Sequence, residues 1–114
     1  MTTNNKYLAA AVGHYKSLGT GRLEVPEWVI DDVAIIIYWK PMTMAESVRL
    51  LGSGNTTLAQ FVDIIIAKAM TESGEKMFTL EDKQPLLRTV DRHVLIRIGT
   101  AMLEQSSVDD AEKN

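Results

Sequence analysis

The chain has 114 residues, 46% of them hydrophobic and 24% charged, with a formal net charge of -3. That length accommodates one hydrophobic core, and the composition is that of a globular domain. The acidic balance with scattered Lys and Arg excludes a general nucleic-acid binder, and the absence of cysteine excludes disulfides, thiolate metal sites and thiol nucleophiles.

The polar start, Met1 to Lys6, leads into no secretion-like apolar stretch, and apolar runs such as Val33 to Trp39 are too short to cross a bilayer. A cytoplasmic protein without membrane contact is expected. Tyr7 to Tyr15 follows an Asn4-Asn5 start and reads as a short helix, although Gly13 costs it roughly 1 kcal/mol against Ala. Leu18-Gly19-Thr20-Gly21 breaks the chain. Arg22 to Val25 then alternates polar with apolar before Pro26, which marks an edge strand of about Arg22 to Glu27. Val29 to Asp32 reads as the connecting turn, and Val33 to Lys40, dense in β-branched and aromatic residues, as the second strand of an antiparallel hairpin.

A lone hairpin is barely stable in water, and the rest of the sequence supplies helices to cover it. Thr43-Met44-Ala45-Glu46 has capping-box spacing for a helix to about Leu51. Gly52-Ser53-Gly54 ends it, Asn55 or Thr56 is a candidate cap for the next, and Leu58, Phe61, Val62, Ile65, Ile66 and Ala69 share one helical face. Asp63 and Lys68 fall off that stripe, while Ile64 widens it. Thr79 to Asp82 repeats a capping arrangement for a short helix with Pro85 near its start, and Asp91 caps a last helix carrying Val94, Leu95, Ile98, Ala101 and Met102. The expectation is an α+β fold, mainly helical, with a two-stranded antiparallel hairpin near the N-terminus. Residues 1–106 form its single domain and 107–114 a flexible polar tail.

Candidate chemistry is sparse. His14 and His93 have no ligand partners at metal-site spacing, and Glu24, Glu27, Asp31 and Asp32 lack the pattern of a calcium loop. Gly19-Thr20-Gly21 and Gly52-Ser53-Gly54 lack the Gly-Lys-Ser/Thr ending of a phosphate loop, and no serine lies in a nucleophile elbow. No catalytic residue, metal or cofactor is expected. The notable side chains are aromatic: Tyr38 and Trp39 must point to opposite faces of the hairpin, leaving one for the core. With Met44 at the adjoining helix entry, Trp28 and Trp39 are the candidate partner-binding residues, packing on the helices being the structural alternative.

Three stretches carry a family resemblance. They are Leu23-Glu24-Val25-Pro26-Glu27-Trp28, then Ile37-Tyr38-Trp39-Lys40-Pro41-Met42-Thr43-Met44-Ala45-Glu46, then Glu75-Lys76-Met77-Phe78-Thr79-Leu80-Glu81-Asp82. In order and spacing they resemble the tail assembly chaperones of long-tailed, siphovirus-like bacteriophages. The resemblance runs from Leu23 to the C-terminus, departing at Val29 to Asp32, which is longer and more apolar than the usual turn. It implies a non-enzymatic chaperone in the host cell cytoplasm that binds the tape measure protein, helps recruit the major tail tube protein, and is absent from the mature virion. It also implies a longer product made by programmed frameshift, for which Glu112-Lys113-Asn114 permits the codons GAA AAA AAC. A minor structural tail protein, for completion or joining, and a small DNA-binding regulator are the alternatives. Homo-oligomer formation stays open.

Overall fold

A computed structural model describes residues 5–52 and 57–104, so the candidate caps Asn55 and Thr56 and the tail 107–114 lie outside the described residues. The described chain is α+β: helices α1 (Lys6–Ser17), α2 (Met44–Leu51), α3 (Leu58–Lys68), α4 (Lys83–Thr89) and α5 (Arg92–Leu103), and an antiparallel hairpin of β1 (Gly21–Ile30) and β2 (Val33–Trp39). A 3₁₀ turn, Leu80–Asp82, leads into α4.

The helix starts follow local chemistry. Asn5 Oδ1 accepts from the Tyr7 and Leu8 backbone N–H groups at the head of α1. At α2 the capping box closes both ways: Thr43 Oγ1 accepts from Glu46 N at 3.2 Å, and Glu46 Oε1 accepts from Thr43 N at 3.0 Å. Gly52, at φ 69°, stops α2 in the left-handed region where glycine carries no side-chain penalty. Thr57 caps α3, with its N–H bonded to Gln60 Oε1, and Asp91 is the cap residue of α5.

The hairpin corrects the expected turn. Val29 and Ile30 belong to β1, paired with Ala34 and Val33, and the turn is Asp31-Asp32 alone. Both aspartates have positive φ, 53° and 66°, as a two-residue type I′ turn requires, and Asp tolerates that region better than most residues. Pro26, read as the mark of an edge strand ending at about Glu27, begins a bulge within a longer strand. Val25 pairs with Ile35 and Val29 with Ala34, so Pro26, Glu27 and Trp28 are looped out of the ladder. A residue with no N–H is tolerated there because no ladder bond is asked of it.

The bulge divides the hairpin. In its base, Val25, Ile37 and Trp39 are buried against the helices, together with Ile64, Ile65 and Ile98 at the α3–α5 contact. Helices α3 and α5 approach closely at Gly99, where a Cβ would lie 2.3 Å from the Phe61 ring. The free edge of β2 is extended by a short segment: Tyr38 and Met70 exchange two backbone hydrogen bonds of 2.9 Å each. That leaves β1 as the outer strand, as its sequence predicts.

Candidate partner-binding surface

The three residues singled out by sequence occupy different surroundings. Trp39 is 2% exposed and faces the core, which removes it from any surface site. The reason is its partner in the register. Gly21 lies opposite, and a Cβ there would stand 2.2 Å from the indole, so the ring fills the space that glycine leaves. The Trp39 Nε1–H is buried with no acceptor among the described residues. Trp28 is half-buried, its ring edge-on to Phe78 with centroids 6.3 Å apart. Met44, at the first turn of α2, is 79% exposed, and Val48 one turn later is exposed on the same face.

The bulge aims Glu27 as well as Trp28. Arg97 of α5 donates from both Nη atoms to the two Glu27 oxygens, at 3.0 and 2.5 Å, a bidentate clamp across the outside of the hairpin. The guanidinium hydrogen bonds hold the Glu27 carboxyl below its ordinary value, and the carboxylate raises Arg97 in turn.

Sequence reasoning missed a polar junction under α2. Lys68 falls off the apolar stripe of α3 yet is buried, its Nζ 2.8 Å from Glu46 Oε1 and 3.5 Å from the Pro41 carbonyl. The same carbonyl accepts the Tyr15 hydroxyl at 2.6 Å, so one oxygen ties α1, the β2–α2 connection and α3 together. Burial alone would raise the Glu46 carboxyl, but hydrogen bonds from Lys68 and the Thr43 N–H outweigh it and set the pKa below normal. Burial, then the Glu46 charge, pushes the Tyr15 phenol up. The only advance signal was Glu46 itself, which the capping box had already assigned a role.

Beside this junction, an open groove of ≈ 420 Å³ runs between α2 and α3, with Leu50, Ile66 and Leu80 as its apolar lining and Arg49, Asp63 and Lys76 as its charged members. Asp63 is paired with Lys83 at 2.9 Å. Two further exposed apolar areas stand apart from it. One is the hairpin tip, where Ile30 and Val33 are 63% and 67% exposed. The other is α1, which buries none of its residues.

His14 is exposed, and His93 sits 3.6 Å from Asp91. Among the described residues no group of three or more His, Cys, Asp or Glu is placed to hold a metal ion. No helix among them is long and apolar enough to cross a membrane. Comparisons with protein-family models, with curated proteins and with solved structures find no match.

Proposed function

We propose that the protein is a tail assembly chaperone of a long-tailed bacteriophage, working without catalysis in the host cytoplasm by holding the tape measure protein and helping to recruit tail tube subunits. The reading is carried by the three sequence stretches quoted above, in their order along the chain. The fold adds a physical rationale. Trp28 from the first stretch packs on Phe78 from the third, while the second supplies the capped entry of α2 and its exposed Met44.

The client surface we assign is the outward face of α2, Met44 and Val48, with the neighbouring groove that contains Leu50 and Leu80. An apolar floor with charges of both signs at its edge suits an amphipathic client helix, whose apolar side chains would find cover and whose polar side would stay wet. Trp39, being core, is not part of it. Trp28 contributes by fixing the hairpin on Phe78.

The test is co-expression with the tape measure protein of the same phage. Met44→Asp with Val48→Asp should leave the fold intact, since both side chains are exposed, and should send the client into the insoluble fraction. A client equally soluble with this variant removes the assigned surface. Mass spectrometry of purified virions addresses the role itself: a chaperone is missing from particles, whereas a completion or joining protein is retained. Sequencing the gene tests the frameshifted product, which requires codons for Lys113 and Asn114 that keep the slippery run and an overlapping downstream frame.

A further inference from the structure

Helix α1 has an apolar stripe, Leu8, Val12 and Tyr15, of which, among the described residues, Tyr15 alone is tied down, its hydroxyl donating to the Pro41 carbonyl. Leu8 and Val12 are exposed, and Tyr7 beside them more so. The helix contains Lys6, His14 and Lys16 and no acidic residue. At its base is an open recess of ≈ 260 Å³ lined by Tyr15, Lys16, Gly19, Thr20, Lys40 and Pro41, so two lysines flank an aromatic ring.

The far end of the hairpin is the reverse in charge and alike in character. Val29, Ile30 and Val33 are exposed around the turn Asp31-Asp32, with no basic residue in that segment. The two areas lie at opposite ends of the hairpin, because α1 joins it where Gly21 pairs with Trp39 and the turn closes beyond Ile30 and Val33. Each is exposed in the presence of the other, so they do not cover one another within a chain.

We propose that the hairpin tip of one copy seats in the α1 recess of a second copy, Asp31 and Asp32 meeting Lys16 and Lys40 while Ile30 and Val33 cover Leu8 and Val12. The charges select this pairing: tip against tip would set four carboxylates together, and α1 against α1 would gather lysines. The interface is heterologous, so every open assembly still offers one free tip at one end and one free recess at the other, and growth proceeds to a ring or a filament. This inference does not rest on the chaperone reading, and its residues are separate from the client surface assigned on α2.

The full-length chain, followed by sedimentation velocity over a concentration series, should gain mass in steps of one protomer. Ile30→Asp with Val33→Asp breaks the tip, Leu8→Asp with Val12→Asp breaks the helix stripe, and each variant alone should stay monomeric. Mixed in equal amounts they should form a dimer and nothing larger, because one intact recess and one intact tip remain between them. A mixture that stays monomeric overturns the head-to-tail pairing, as does a wild type that never self-associates, or variants that associate as wild type does. Should circular dichroism show that the helix variant loses α1, Lys16→Glu with Lys40→Glu takes its place in the same mixing experiment. Asp31→Asn with Asp32→Gly keeps a favourable turn sequence and removes both charges, and should raise the association midpoint about tenfold. An unchanged midpoint overturns the match between acidic turn and basic recess.

Discussion

The two halves of the hairpin are built from the same kind of residue and treated oppositely. Below the bulge, Val25, Ile35 and Ile37 pack into the helices; above it, Val29, Ile30 and Val33 project with little cover. Strand chemistry therefore does not decide burial here. The change falls at the looping out of Pro26, Glu27 and Trp28, which shifts the register by three residues: the strands are covered by helices on one side of it and exposed on the other. Apolar residues in the base stabilise the fold by leaving water, whereas those at the tip gain nothing in the isolated chain and are free to serve an association.

Substitutions on either side of the bulge should separate these roles. Ile37→Ala, in the fully buried base, should cost about 2 to 5 kcal/mol, read as a large fall in thermal midpoint. Gly21→Ala pushes a methyl group into the Trp39 indole and should cost about 1 to 3 kcal/mol, although on paper it only adds a better strand former. A Gly21→Ala protein as stable as wild type would mean that the indole can move aside.

Glu46→Gln leaves the Lys68 ammonium buried beside a neutral partner and should cost about 2 kcal/mol by denaturant titration. The pH dependence has a definite sign. The folded Glu46 pKa is depressed, so its contribution is present above the ordinary value of 4.5 and is lost as pH falls through the lower folded value. The acid limb of a stability profile should accordingly flatten in Glu46→Gln. The smallest effect belongs to the tip. Ile30→Thr with Val33→Thr should change stability by no more than about 0.5 kcal/mol per site, a result that a half-buried tip would contradict.

Local chemistry was the legible part of the fold. The cap at Thr43, the start of α5 at Asp91, the hairpin as a whole, and the buried Ile65, Ile66, Leu95, Ile98 and Met102 all follow from short-range spacing, and the structure has them, although the Asp91 side chain makes no capping hydrogen bond. Phe61, expected with them, is partly exposed because its ring lies over Gly99 at the edge of the helix contact. The turn is shorter than the sequence suggests because a strand ending at Glu27 leaves Val29 and Ile30 to the turn, whereas the bulge takes up Pro26 to Trp28 and the ladder resumes at Val29. Lys68 was misplaced because its partner lies 22 residues away, and no periodicity within α3 reports a carboxylate on another helix. For the candidate site, alternation told that Tyr38 and Trp39 point apart, but only the glycine across the ladder told which of them goes inside.

The placement of the two tryptophans also makes the molecule its own optical reporter. Trp39 emits from a dry interior, and Trp28 from a half-covered position against Phe78, so both indoles are tied to the packing of the hairpin on the helices. Their emission should therefore shift to longer wavelength when the fold opens. Neither ring belongs to the hairpin tip, the α1 recess or the outward face of α2. A partner that itself lacks tryptophan should thus dock at any of these surfaces with little change in the spectrum, which allows the same signal to confirm that a surface variant is folded while its binding is measured by other means.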